Sequence, residues 1–347
     1  MSGGGHGTNR QQQGVPPLSA PHISVLLNEV VAALAPQAGE VMVDGTFGAG
    51  GYSRALLETA DCAVIAIDRD PDTQHHADAL AAAHEGRLHY LAGCFGDMDT
   101  LLPSAGYQQV DGITLDLGVS SMQLDEAARG FSFMRDGPLD MRMSQSGDSA
   151  ADLLNSAEAD LLGDIIAVYG EEKRARAIAK AIVARRTDTP FARTGDLVDV
   201  VCSVLGAPRF GKTHPATRTF QALRIYLNDE LGELLRGLQA AERMLKPGGR
   251  LAVVTFHSLE DRMVKQFLAP RTGRAGRPSR HMPDIDLPPP SFKEPAKRSV
   301  KAREEEVAAN PRARSARLRV AIRTPAPVYP QAADLMPRRA PQSGVAQ

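Results

Sequence analysis

The sequence predicts an α/β protein, a mainly parallel sheet covered by helices on both faces. Three observations carry this. Short β-type runs alternate with helix-type segments along most of the 347 residues. A glycine-rich turn at residues 45–51 falls directly after the first strand and before a helix. The alternation breaks once, between residues 117 and 250, a gap far longer than an ordinary crossover.

The first strand is read at Val41–Asp44 and the second at Ala63–Asp68, which ends in a carboxylate. A weaker third lies at 87–91, the fourth at 112–117, the fifth at 250–256, and a late strand at 318–323. Helical patterns fill 53–58, 71–83 and 229–245, the last stopped by Lys246-Pro247-Gly248-Gly249. Within the long gap, 160–186 and 194–205 read as helices. Thr213-His214-Pro215 reads as the start of another, with Thr213 as cap and Phe220, Leu223 and Leu227 as its core stripe. The expected layout is a disordered N-terminus (1–20), a sheet domain (21–127 and 229–324), an inserted helical domain (128–228) and a disordered C-terminus (325–347).

The hydrophobic fraction is 43%, the aromatic fraction 5%, and there is no Trp, so the core is expected to be aliphatic. The formal net charge of −1 names no partner. Its distribution says more: residues 271–323 hold fourteen Lys or Arg against six Asp or Glu, a stretch that suits a polyanion or a solvated tail. Cys62, Cys94 and Cys202 form no C-x-x-C pair, which argues against a zinc site or disulfide framework and for a reducing compartment. No run of about 18 apolar residues suggests a membrane span, and the polar first twenty residues do not resemble a signal peptide. A cytoplasmic location follows as the expectation.

The glycine turn reads Asp44-Gly45-Thr46-Phe47-Gly48-Ala49-Gly50-Gly51. Glycines there permit positive φ and close approach of a ligand to the backbone. Asp68, closing the second strand, can bind two ribose hydroxyls. A dinucleotide site wants G-x-G-x-x-G with the pyrophosphate on the helix N-terminus. Here a leading carboxylate, Asp44, would repel pyrophosphate but suit the methionyl ammonium of S-adenosylmethionine. The methyl donor is therefore the favoured ligand over NAD, and a Rossmann-like methyltransferase sheet the favoured fold.

Six motifs then carry a family resemblance: residues 44–51; Leu115-Asp116-Leu117-Gly118-Val119-Ser120-Ser121; 129–133 continuing through 135–142; His214-Pro215-Ala216-Thr217-Arg218 through Ala222; Phe256-His257-Ser258-Leu259-Glu260-Asp261-Arg262; and Asn310-Pro311-Arg312-Ala313-Arg314-Ser315. In this order they resemble the ribosomal RNA small-subunit methyltransferase H (MraW-type) family, from about residue 22 to 324. The resemblance implies S-adenosylmethionine-dependent N4-methylation of a cytidine in 16S rRNA at the decoding centre of the small ribosomal subunit. It implies cofactor contacts at Gly50, Gly51, Tyr52, Asp68, Phe95, Asp116 and Gln123: the glycines admitting the methionine portion, Asp68 holding ribose, Phe95 and Asp116 framing the adenine side. Tyr52 stands where many relatives carry His, and Met122 where Pro is common.

A sulfonium is already an activated methyl donor, so no metal is expected. The cytosine N4 lone pair is delocalised, and an enzyme helps by accepting hydrogen bonds from the amino group and aligning it with the methyl. Asp116 and His257 are the catalytic candidates, each with a rival role: cofactor ligand for Asp116, and for His257 a structural position beside a helix capped by Ser258, with Asp261 in its first turn. RNA contacts are expected from a basic helix face (Lys173, Arg174, Arg176, Lys180, Arg185, Arg186), from Arg218 and Arg224, and from Arg312, Arg314, Arg317, Arg319 and Arg323. If 318–323 is a strand, alternation puts Arg317, Arg319 and Arg323 on one face. The rivals are a small-molecule methyltransferase and a ribosome-assembly factor that uses the donor as a structural ligand. A homodimer is compatible with the sequence.

Overall fold

A computed structural model of the chain describes residues 24–274, 288–295, 299–330, 335–337 and 341. The expected disordered N-terminal segment 1–20 lies outside the described residues, as does most of 331–347. Within 325–330, the Tyr329 backbone N–H donates to Glu242 at 2.8 Å.

Eight strands form one sheet: β1 (Val41–Asp44), β2 (Ala63–Asp68), β3 (Leu88–Ala92), β4 (Val110–Asp116), β5 (Leu245–Thr255), β6 (Phe292–Lys293), β7 (Val300–Lys301) and β8 (Arg317–Arg323). Their order is β3-β2-β1-β4-β5-β8-β6, with β7 also on β8. The first five are parallel, and β8 runs antiparallel to β5. The chain steps outward from β1 to β2 and β3, then returns to the other side of β1 with β4. The β1/β4 junction is thus the topological switch point, where α/β sheets bind ligands outside the carboxyl ends of their strands.

Alternation along the strands sorts the core into two layers. Val43, Ile65, Ile67, Ile113 and Leu115 face one side, and that cluster continues without a break into the helices of residues 150–227. Met42, Val64, Ala66 and Val254 face the other, against the helices Leu27–Leu34 and Gly51–Thr59.

Two expectations about β5 shift. It begins at Leu245, not 250, because Lys246-Pro247-Gly248-Gly249 is a bulge within the strand: Val110 pairs Leu245, and the register resumes at Gly112–Arg250. The preceding helix accordingly ends at Met244. Between β4 and β5 lie the helices Ser121–Asp125, Ala150–Ser156, Ala159–Tyr169, Ala175–Asp188, Thr194–Leu205 and Thr217–Leu227. The last starts at Thr217 with Ala216 as cap residue, so Thr213 is not its cap; the turn before it is closed by His214 Nδ1 accepting from Ala216 N–H at 3.2 Å.

Candidate active site

The local sequence builds the site by bending the chain sharply after β1. Gly50 has φ 77°, and a Cβ there would lie 2.8 Å from the Phe47 ring, so the turn into the helix Gly51–Thr59 requires glycine. Asp68, at the end of the neighbouring strand, braces that turn by accepting from Gly48 N–H at 2.7 Å and from Asp70 N–H at 2.8 Å. Burial raises the Asp68 pKa, with these two bonds opposing it. A cavity of about 890 Å³ opens above the switch point. Gly51, Tyr52, Asp68, Phe95, Asp116 and Gln123 all line it. Gly50 does not; it sits behind, shaping the turn. The Phe95 ring reaches the wall because residue 237 is glycine, where a Cβ would collide with it.

Three carboxylates stand at successive strand ends with different surroundings. Asp44, expected to meet the ammonium of the donor, is fully buried behind the turn and engaged by Ser53 Oγ (2.8 Å) and Thr46 N–H (3.3 Å). Burial pushes its pKa up to about 6. Asp116 lines the cavity, and its Oδ1 is buried without a hydrogen-bond partner. Burial, then Asp44 and Glu260, raise its pKa well above the carboxylate range, and the Tyr52 hydroxyl pulls the other way. The Tyr52 hydroxyl also donates to the Val25 carbonyl, so this side chain is a strut joining the turn to the segment before the first helix.

Gln123 is held at both ends. Its carbonyl accepts from Ser120 N–H at 3.0 Å, and its amide donates to Asp70 at 2.7 Å, leaving one amide hydrogen for a ligand. Asp70 also takes Arg129 at 2.8 Å, which pins the loop after β4 over the cavity.

The far wall was not legible in advance as a unit. Glu230 and Glu260 line the cavity from two distant helices. Arg224 grips Glu230 through two bonds, at 2.7 and 2.9 Å. His257, not Ser258, is the N-cap residue of the helix Ser258–Arg271, forming a capping box with Glu260. The motif is shifted by one from the expected one, and Ser258 instead donates to Glu171 at 2.6 Å. His257 Nε2 lies 3.0 Å from Glu260 Oε1 yet is poorly aligned for a hydrogen bond. Burial works to raise the Glu260 pKa, but His257, the Phe256 N–H and Arg224 outweigh it, and the group titrates below its ordinary value. His257 thus stands behind Glu260, outside the cavity lining. Ligand atoms of Glu230, His257 and Glu260 lie within 4.8 Å of one another, a spacing a metal would accept, but the Arg224 guanidinium already supplies the cation there.

Several of the basic residues expected to meet RNA are engaged by partners within the protein. Arg176 pairs with Asp164, Arg185 with Asp196, and Arg186 donates to the carbonyls of Leu154 and Ala157. Arg319 is bidentate on Asp261, at 2.7 and 3.0 Å. Arg323 donates to the carbonyls of Glu242, Ser291, Thr324 and Ala326. The alternation expected of β8 does put Arg317, Arg319 and Arg323 on one face, but that face is covered. Arg312 is different: it reaches Ser121 and Asp125 at the cavity mouth.

This strand order, with a glycine turn and carboxylates at its switch point, defines a Rossmann-like S-adenosylmethionine-dependent methyltransferase. The chain belongs to the MraW methylase family, whose model matches residues 19–324. It is 60% identical over 90% of its length to a ribosomal RNA small subunit methyltransferase H of Parvibaculum lavamentivorans, covering 92% of that protein. A protein of the same description from Rhodospirillum rubrum is 56% identical, with 89% of this chain and 96% of that one aligned. Among solved structures, an rRNA methylase from Streptococcus thermophilus aligns at 9% identity with a TM-score of 0.37, covering 86% of this chain and 93% of that one. Among the described residues no helix is long and apolar enough to cross a membrane.

Proposed function

We propose that this methyltransferase acts on small-subunit ribosomal RNA and transfers a methyl group from S-adenosylmethionine to N4 of a cytidine in 16S rRNA at the decoding centre. The observation that carries the reading is the unpartnered Asp116 oxygen in a cavity whose other wall is Glu260. Glu260, held below its ordinary pKa, supplies negative charge for a donor with sulfonium and ammonium groups; a cation bound beside Asp116 favours its ionised form, which then accepts from an exocyclic amino group. Relatives at 56–60% identity are named as ribosomal RNA small subunit methyltransferases, which supports the rRNA assignment.

In this reading Gly51 and the turn admit the methionine portion, Asp68 holds the ribose, and Phe95 with Asp116 frames the adenine side. Gln123 offers its remaining amide hydrogen. The N4 nitrogen attacks the methyl carbon as the carbon–sulfur bond breaks, leaving S-adenosylhomocysteine. The nitrogen then gives up one proton, and Glu260, a cavity-lining carboxylate kept below its ordinary pKa, is the acceptor we assign. His257 holds the Glu260 carboxylate in place and is a positioning residue. The sulfonium is activated already, so the transfer needs no metal. Mass spectrometry of 16S rRNA from a strain lacking the protein tests the proposal: one N4-methylcytidine mark is expected to vanish and to return on complementation. An unchanged set of marks would refute it.

A further inference from the structure

The segment 206–213 takes no part in the site above. All eight of its residues are exposed, yet its tip has a defined shape. Lys212 N–H donates to the Arg209 carbonyl at 3.1 Å, and Gly211 takes φ 71°. Residues 209–212 therefore form a β-turn with Phe210 and Gly211 at its corners. The backbone holds Phe210 outward, and its side chain is wholly exposed, the most exposed of the large apolar residues among the described residues. Arg209 and Lys212 flank it, and neither has an ion-pair partner among the described residues.

A second exposed loop lies against the base of this turn. Phe133 stacks on His214 with ring centroids 4.7 Å apart and meets Phe220 edge-on at 5.2 Å. The next residue, Met134, is 80% exposed. Arg135 follows and donates to the Asp125 carbonyl at 3.0 Å. The Asp125 carboxylate takes Arg312 at 2.9 Å, and Arg312 lines the cavity mouth. Named contacts thus run from the cavity to the Phe210 turn. Two acids along the way have partners: Asp125 is paired with Arg312, and Asp136 with Arg193. Outward stand two large apolar side chains with Arg209, Lys212 and Arg135, and one exposed acid, Glu126.

We infer that this strip seats single-stranded RNA leading to the target base, with Phe210 stacking on an unpaired base and Arg209, Lys212 and Arg135 meeting phosphates. An aromatic face accepts any base, and flanking cations track the backbone, which is how single strands are held. A protein partner would have to bring both an apolar seat and acids to this strip, whereas a nucleic-acid strand carries base faces and phosphates together. The helix Thr217–Leu227 sets the reach. From Thr217 to Arg224 it rises roughly 10 Å; Arg224 holds Glu230 of the cavity wall, and the Phe210 turn precedes the near end of the helix. The stacked base is therefore separate from the one in the cavity. The inference rests on the RNA substrate proposed above.

The test uses the full chain and small ribosomal particles. Phe210→Ala should lower kcat/KM on particles by about five- to a hundredfold, chiefly through KM. S-adenosylmethionine affinity and melting temperature should stay unchanged, and Phe210→Trp should restore activity. Replacing Arg209 and Lys212 with Gln should flatten the log-affinity against log-salt slope by about 0.7 per lost contact. Unchanged particle binding and methylation in Phe210→Ala would overturn the inference. Binding is measured apart from methylation to separate the two readings. A wild-type protein that leaves the cytidine unmodified, with Phe210→Ala still losing particle binding, refutes the function and keeps the strip. With a photoreactive benzoyl-phenylalanine at position 210, crosslinks to 16S rRNA are expected; crosslinks only to a ribosomal protein would overturn the inference.

Discussion

The carboxyl edge of β1, β2 and β4 and the C-terminal segment 310–323 are both dense in charge, and both look functional in sequence. At the sheet edge, Asp68 and Asp116 converge on one cavity, because a residue closing a parallel strand is placed by the sheet itself. In the C-terminal segment the arginines divide. Arg319 and Arg323 turn inward and are nearly buried, while Arg312 stays at the cavity mouth and Arg314 stays exposed. A count of cations says nothing of which ones find a partner inside the fold. The position of a carboxylate relative to a strand end does.

The sharpest way to break this contrast is at Glu242. Its carboxylate takes Arg271 at 2.7 Å, Ser291 at 2.6 Å and the Tyr329 N–H at 2.8 Å, while its carbonyl takes Arg323. Both members of the Glu242–Arg271 pair are 1% exposed. Glu242→Ala strands Arg271 in the core, and denaturant unfolding should show a loss of about 3–5 kcal/mol. A loss under about 1 kcal/mol would mean the segment is not held internally.

Asp44 tests the sheet edge. Its pKa is about 6 in the fold against the ordinary 3.8. Between those values the folded chain keeps a proton that the unfolded chain has released, so stability without ligand falls as pH rises from about 4 to 6. The full cost of about 3 kcal/mol is present above that window. Asp44→Asn should flatten the pH profile by that amount. Parallel profiles for the two proteins would show that Asp44 ionises freely.

Asp68→Ala should weaken S-adenosylmethionine binding by about 1.5–3 kcal/mol, or roughly ten- to a hundredfold in calorimetry. The smallest effects separate the arginines. Arg314→Gln should flatten the salt slope of particle binding by about 0.7–0.9 without altering the melting temperature. Arg319→Gln should lower the melting temperature and leave the slope alone. The reverse result would restore β8 as an RNA-facing strand.

The legible parts of the molecule were those written in local pattern. Val41–Asp44, the glycine turn and Asp68 fall where strand period and turn chemistry demand. The illegible parts depended on partners far along the chain. The far wall needs Glu230 and Glu260 brought together by two helices, and no spacing announces that. The cap of the helix Ser258–Arg271 lies one residue before the expected Ser258: His257 forms the capping box with Glu260, and Ser258 is drawn to Glu171. Lys246-Pro247-Gly248-Gly249 looked like a boundary, and the sheet absorbed it as a bulge because Leu245 already pairs with Val110.

The place of β8 has a consequence for how the protein is made. β5 ends at Thr255, and its outer edge is covered by residues 317–323. During synthesis, β3 through β5 emerge and pair while that edge still presents open backbone donors and acceptors, until the last tenth of the chain leaves the ribosome. At about 5–20 residues per second, a nascent chain carries this sticky edge for several seconds. A polypeptide stalled or cut before residue 317 would have an almost complete cofactor cavity on a sheet prone to pair with its neighbours, and should accumulate as aggregate rather than as a truncated enzyme.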